Sequence, residues 1–283
     1  MDQWRRLPDV YIPPKYNTEV KYFADTTMRV WKDQAWLFFG CKRMLKFDLH
    51  LEQWFLFDTE WDSAEPWPYK KELAVEYCAE IFDGKLHIFG GWGGSDSDTE
   101  TISIGMNLHM CLDLRTLKWT KLGGTNDPQK HIPGMPTLRK ACGSWVVPHE
   151  KKMYILHGIA CRPESAIGYF NHQYEDAWSY SFATQIWARE RLRGNFPAAR
   201  CNMACVYHPA LDQVLVFGGS NVRLPTQHPR MMSFMTYFAD TFILDMKTKI
   251  WKQVLTRDFP HHRMSAHMNV DVDTGRIYLY GGM

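Results

Sequence analysis

The chain has 283 residues and a mass of 33.2 kDa, enough for one large domain or two small ones. Hydrophobic residues at 45% and charged residues at 23% are globular values, which excludes disorder over most of the length. Lys and Arg number 33 against 31 Asp and Glu, and a net charge of +2 argues against a dedicated nucleic-acid or membrane-surface protein.

The N-terminal stretch, MDQWRRLPDVYIPPKYN, lacks the apolar core of a signal peptide. The longest apolar runs, such as residues 35–40, are too short to span a bilayer. The protein is therefore expected inside the cell, in the cytoplasm or nucleus. Trp4-Arg5-Arg6-Leu7 reads like a strand opening, because it matches Trp119-Thr-Lys-Leu122 and Trp251-Lys-Gln-Val254 further on.

From residue 28 onward three signatures recur in phase. The first is an apolar run closing on glycine. It appears at residues 36–40, at 86–91 ending in Gly90-Gly91, at 154–158, at 214–219 ending in Gly218-Gly219, and at 277–282 ending in Gly281-Gly282. The second is an apolar or aromatic residue followed by Asp or Ser, five residues, then Trp. It places Trp54, Trp119, Trp187 and Trp251 at intervals of 65, 68 and 64 residues. The third is Pro-x-x-Arg, giving Arg139, Arg200 and Arg263, each 19 residues before the last glycine of its unit, with Lys71 as a weaker fourth copy. The units are expected at 28–66, 67–134, 135–195, 196–258 and 259–283, after an N-terminal segment 1–27.

Each unit reads as four short strands, here called a to d. Strand a follows the Arg, and strand b is the apolar run. The glycines that end strand b permit positive φ and close backbone approach. Strand c carries the Asp, whose carboxylate can start a turn by accepting nearby backbone N–H groups. Asp48, Asp113 and Asp245 are thus read as turn formers. Strand d begins at Trp, whose full burial is worth roughly 4–6 kcal/mol. One small sheet cannot bury both its faces. Radial stacking of copies can, and that is a β-propeller.

The Gly-Gly strand ends, the downstream aromatic and the Trp at fixed offset resemble kelch repeats over nearly the whole chain. The resemblance implies an all-β propeller of the galactose oxidase/kelch superfamily. Trp4 to Pro8, the segment YFADTF from Tyr237 to Phe242 and the segment VLTRDFP from Val254 to Pro260 are also similar to fungal kelch proteins that often carry a MYND-type zinc finger. No such finger lies in these 283 residues.

The fifth unit stops after its b strand. Residues 4–7 are expected to supply the outer strand of the closing blade. The chain then reads as a C-terminally truncated propeller or short gene product, or as a natural short form with a degenerate fifth blade. Either way its last blade exposes an edge.

In this topology the b–c and d–a loops share one face. The first b–c loop is short, whereas those after Gly91, Gly158 and Gly219 span 22, 23 and 26 residues to the next turn-forming Asp or Ser. Long loops on a rigid scaffold suit recognition. The expected contacts are Arg162 in the second insert and Arg223, Arg230, Met232 and Phe234 in the third. Arg139, Arg200, Arg263 and Lys71 would circle the channel mouth and grip carboxylates bidentately. The alternative for each Arg is structural, with bonds to loop carbonyls or an Asp. The Met-Phe cluster has its own alternative, a small core folded back over the propeller.

Catalysis has weaker support. The seven cysteines form no CxxC pair and read as buried thiols. No GxSxG, Walker loop or HExxH is present. A copper-radical oxidase, which the superfamily also includes, would need His157, His172, His228, His261 or His262 to converge, and no spacing requires it. Asp96-Ser-Asp98-Thr-Glu100 lacks the glycine of a calcium loop. The expectation is a non-catalytic scaffold without cofactor or metal, binding a protein partner for which an acidic segment would be suited. An enzyme with a loop-built metal site is the alternative.

Overall fold

The computed structural model describes residues 5–9, 27–69, 74–92, 105–125, 127, 130, 132–162, 170–223, 234–255, 257–258 and 260–283. Blade 1 is a meander of β1 (Met28–Trp31), β2 (Gln34–Phe38), β3 (Arg43–Asp48) and β4 (Gln53–Asp58). After β5 (Glu60–Trp61), blade 2 holds β6 (Cys78–Phe82), β7 (Lys85–Phe89), β8 (His109–Asp113) and β9 (Lys118–Gly123). Blade 3 holds β10 (Gly143–Val147) and β11 (Lys152–Leu156). A separate hairpin follows, β12 (Ile159–Arg162) with β13 (Phe170–Gln173), and then β14 (Ala177–Ser181) and β15 (Trp187–Arg189) complete the blade.

Blade 4 repeats that plan. After β16 (Arg193–Gly194) come β17 (Ala204–His208) and β18 (Gln213–Phe217). The hairpin β19 (Ser220–Arg223) with β20 (Phe234–Tyr237) follows, then β21 (Thr241–Asp245) and β22 (Ile250–Val254). The fifth blade contributes β23 (Ala266–Val270) and β24 (Ile277–Gly281). The innermost strands pack in ring order, β1 on β6, β6 on β10, β10 on β17 and β17 on β23.

The core lies between blades. Trp36, Phe38 and Met44 of blade 1 meet Leu86, Leu112 and Trp119 of blade 2, and Trp145 and Tyr154 of blade 3 meet Val214, Leu244 and Trp251 of blade 4. A b strand flanked by two blades is apolar on both faces, so its sequence runs apolar without alternating. Met153, Tyr154, Ile155 and Leu156 of β11 are all fully buried for this reason. The repeated Trp follows the same logic. Trp119, Trp187 and Trp251 are buried, and Trp54, at the edge of the first blade, is half-buried.

Glycine ends strand b because another backbone lies against it. A Cβ on Gly218 (φ 64°) would sit 2.5 Å from the Arg263 carbonyl. In blade 3 His157 takes this place, also at positive φ (56°).

The blades are joined at the channel mouth by a run of backbone hydrogen bonds, to which the ion pair between Glu76 and Lys140 is added. Glu76, Ala141, Asn202 and Ser265 occupy equivalent positions just before strand a, all at φ between 53° and 55°. Ala141 donates its N–H to the Glu76 carbonyl, Asn202 to Ala141, and Ser265 to Asn202, at 2.7–3.0 Å.

The N-terminal segment departs from its expected place. Residues 5–9 form no strand and do not pair with β24. They lie against blade 1, where Arg5 binds Glu52 and the Trp54 Nε1–H donates to the Pro8 carbonyl at 3.0 Å. β5 beside Trp119 and β16 beside Trp251 are placed similarly, each paired parallel to the outer strand of the next blade. An outer strand needs a c strand beside it, and the fifth blade has only β23 and β24 among the described residues.

Candidate partner-binding face

The turn-forming carboxylates behave as the repeat demands. Asp113 Oδ1 accepts the N–H groups of Arg115 and Thr116 at 2.9 and 3.1 Å, and Asp48 does the same for His50 and Leu51.

The arginines point inward rather than at a partner. Arg139 and Arg200 are completely buried. Arg139 donates Nε–H to the Thr137 carbonyl and Nη1–H to the His157 carbonyl at 3.1 and 3.0 Å, and grips Asp176 through both Nη atoms at 2.6 and 3.1 Å. Arg200 repeats this with the Ala198 and Gly218 carbonyls and with Asp240 at 2.6 and 3.0 Å. Each guanidinium also lies over an aromatic ring, Tyr174 at 3.9 Å and Phe238 at 4.1 Å, which completes its desolvation. Burial opposes ionisation of Asp176, but the Arg139 hydrogen bonds and charge outweigh it and hold the carboxyl below its usual range.

The expected free arginine ring is thus corrected for these two residues. Each guanidinium ties the start of strand a to the end of strand b and the start of strand c. Arg263 makes the same carbonyl contacts, to His261 at 3.2 Å and Gly281 at 3.1 Å, and stays partly exposed. Lys71 lies outside the described residues. The bridges Val75↔Trp92, Lys140↔Ile159 and Cys201↔Ser220 align Ala74, not Lys71, with Arg139 and Arg200, so blade 2 holds no cation at this position.

The Asp partners went unrecognised in the sequence. Their signal is an aromatic-x-Asp immediately before strand c, Tyr174-Glu-Asp176 and Phe238-Ala-Asp240.

The long inserts of blades 3 and 4 are hairpins. β12 pairs with β13 and β19 with β20, and the two hairpins touch through β13 and β19. Arg162 ends β12, Arg223 ends β19 and Phe234 begins β20, whereas Arg230 and Met232 lie outside the described residues, as does Asp96–Glu100. Between the hairpin bases runs an open groove of about 420 Å³ lined by His172, Glu175, Asp176, Arg189 and Asn221. Both charge signs and an exposed imidazole meet there.

The central channel opens on the same face. Its cavity of about 340 Å³ is lined by Arg29, Glu76, Ser144, Asn202 and Ser265 among others. Arg29 pairs with Glu80 at 2.8 Å, and Ser144 Oγ donates to the same carboxylate at 2.7 Å.

Of the five loop-face histidines, the four that are described do not converge. His157 is buried, its Nδ1 at 2.9 Å from the Tyr174 carbonyl, and burial lowers its pKa to about 4. His172, His261 and His262 are exposed, and His228 lies outside the described residues. Among the described residues no three His, Cys, Asp or Glu side chains form a group suited to a metal ion. The sequence also missed a buried relay between blades 2 and 3. There His87 Nδ1 lies 3.2 Å from His109 Nε2, and Cys111 Sγ lies 3.9 Å from His87 Nε2.

Sheets of antiparallel meanders stacked radially, each b strand closed by glycine and each d strand opened by Trp, define a kelch-type β-propeller. No family model matches the chain. Over 155 residues, 54% of its length, it is 23% identical to Kelch domain-containing protein 10 of Rattus norvegicus, and the match spans 35% of that protein. Its fold is similar to the solved structure of YjhT, with a TM-score of 0.61 and 17% identity over 94% of this chain and 72% of that one.

Proposed function

We propose that the chain is a non-catalytic protein-interaction scaffold that holds its partner on the hairpin face of blades 3 and 4. The observation that carries this reading is the pair of touching hairpins over a polar groove, projected from a rigidly packed propeller. Fold alone supports no particular activity. A groove walled by recognition loops on a scaffold supports binding. Arg189, exposed in the groove, and Arg162 and Arg223 on the hairpins suit a carboxylate-bearing segment of the partner. Arg139 and Arg200 act here as supports. They fix the two points from which each hairpin leaves and returns to its blade. A cytoplasmic or nuclear setting is part of the same reading, as is the narrower kinship with fungal kelch proteins that carry a MYND-type finger. Among the described residues no helix is long and apolar enough to cross a membrane.

The test is a pull-down with three proteins: the chain itself, Arg189→Glu, and a variant whose β19–β20 hairpin is cut back to an Asn-Gly turn joining Asn221 to Thr236. A partner held by the first and lost from both variants, with near-UV circular dichroism unchanged, is the expected result. Equal capture by all three would overturn the assignment of this face.

A further inference from the structure

Blade 2 turns a partly polar face toward blade 3. Side chains alternate along a strand, and in β7 and β8 Leu86, Ile88, Met110 and Leu112 join the apolar core shared with blade 1. His87, His109 and Cys111 therefore face blade 3, and all three are buried. His87 lies directly across the ladder from Cys111, and His109 precedes Cys111 by two residues on the same side. Blade 3 carries Tyr154, Ala177 and Ser179 at the equivalent ladder positions. Two imidazoles and a thiol thus meet where the stacking of blades requires only filled volume.

His87 Nδ1 is 3.2 Å from His109 Nε2, and His87 Nε2 is 3.9 Å from Cys111 Sγ. When His87 carries its proton on Nδ1 and donates it to His109, its Nε2 lone pair faces the sulfur. A metal-ligating histidine is held in the same way, its tautomer fixed by a hydrogen bond from the other ring nitrogen. His109 is fully buried, and its Nδ1 has no hydrogen-bond partner among the described residues, so the polar contact it makes is the one that orients His87. A cavity of about 130 Å³ reaches His87 and Cys111. Asp83 of an a–b turn and Gln185 of a c–d turn also line it, so it opens on the face opposite the hairpins.

We infer that Cys111 Sγ and His87 Nε2 form a binding site for one copper(I) ion, with His109 as a positioning residue and the cavity as the way in. With bond lengths like those of zinc, about 2.3 Å to sulfur and about 2.0 Å to nitrogen, one ion spans the 3.9 Å gap and touches both donors. Thiolate with imidazole suits a soft ion such as copper(I). Charge decides against zinc(II). The thiol releases its proton to solvent as the sulfur–copper bond forms, so thiolate and monovalent ion leave the buried site neutral. A divalent ion leaves a net positive charge there, beside Lys85 of the same cavity. Zinc also takes three or four protein ligands, and the carboxylate at the cavity, Asp83, is engaged by Arg115 at 3.2 Å. The site lies between blades 2 and 3 and away from the hairpin groove, so its test stands apart from the reading above.

The probe is copper(I) itself, titrated without oxygen into the reduced, metal-free 283-residue chain in competition with a chromogenic copper(I) chelator. One equivalent is expected to resist the chelator. Cys111→Ser and His87→Gln should each lose that equivalent, and His109→Leu should weaken it about 10- to 100-fold. Cys205→Ser, which removes a thiol at the central channel, should keep it. Near-UV circular dichroism checks that each variant is packed. X-ray absorption of the copper-loaded chain should show one sulfur with a nitrogen ligand, a readout that needs no variant to fold. The inference is overturned if no equivalent resists the chelator, or if packed Cys111→Ser and His87→Gln both retain it. Copper held by two or more sulfurs, or displaced by zinc(II) at equal concentration, would also overturn it.

Discussion

Arg200 and Arg263 make a natural experiment in one molecule, the same side chain at the same position with a carboxylate and, among the described residues, without one. Removing Arg200 leaves Asp240 without its cation. Because the Asp240 side chain is 25% exposed and can rehydrate, Arg200→Ala should cost about 3 kcal/mol, the low end for breaking a buried pair. Arg263→Ala should cost less than about 1 kcal/mol. Urea unfolding of the two variants compares them directly. The buried histidines add a pH dependence. Burial lowers the pKa of His157 to about 4 and of His87 to about 3, and lowers that of His109. Unfolded histidines titrate near about 6.5, so below that value the unfolded chain binds protons that the folded one does not. Stability is therefore fully present above pH ~6.5 and falls as the pH drops, by up to about 1.4 kcal/mol per pH unit for each histidine. His157→Gly introduces the residue used in blades 2, 4 and 5 and should remove about one proton from the uptake on unfolding near pH ~5. The readout is the slope of stability against pH. At this scale the sequence was half legible. It showed Pro-x-x-Arg as a signature and offered an Asp as the structural alternative, but the partners sit 37 and 40 residues downstream, beyond inserts of unequal length. Fixed spacing could not find them.

Strand b and the Trp of strand d were legible because their burial is dictated inside one blade-to-blade contact. Trp119 is fully buried, with its Nε1–H donated to Thr59 Oγ1 at 2.9 Å. Trp119→Ala should destabilise by about 3–5 kcal/mol, and Trp54→Ala, half-buried at the edge of blade 1, by roughly half as much. Denaturation midpoints of the two variants test the ranking. The hairpins were legible only as long loops. β12–β13 and β19–β20 are separate two-stranded sheets whose strands extend past the glycine stop, and the apolar run that marks strand b of a blade is absent from SNVR and FNHQ. Lys71 lies outside the described residues, and its place in the repeat was not legible for a related reason. Pro68-Tyr-Lys-Lys imitates the signature in sequence, whereas the bridge register aligns Ala74 with the arginines.

At the scale of the molecule, the repeat fixed the blade architecture because radial stacking is the way such sheets cover both faces. It did not place the N-terminus. Trp4–Leu7 resembled a strand opening, but residues 5–9 lie on blade 1 beside Glu52 and Trp54. Resemblance to a strand opening does not supply the partner strand that would make it one. Blade 5 is covered by β17 on one side only, so protection should be graded around the ring. Native-state hydrogen exchange should find the β24 amides opening well before those of β11, which lies between two strands. Similar protection in both would contradict that grading.

The four left-handed residues at the channel mouth join blade to blade through peptide groups, and the Glu76 carboxylate adds an ion pair with Lys140 of the next blade. Glu76, Ala141, Asn202 and Ser265 are accordingly an acid, a methyl, an amide and a hydroxyl on one identical backbone track. At Ala141, Asn202 and Ser265 any residue that tolerates positive φ can be exchanged without loosening the ring. On those three blades the mouth is a palette: its charge can be rewritten one blade at a time while the scaffold beneath keeps its shape.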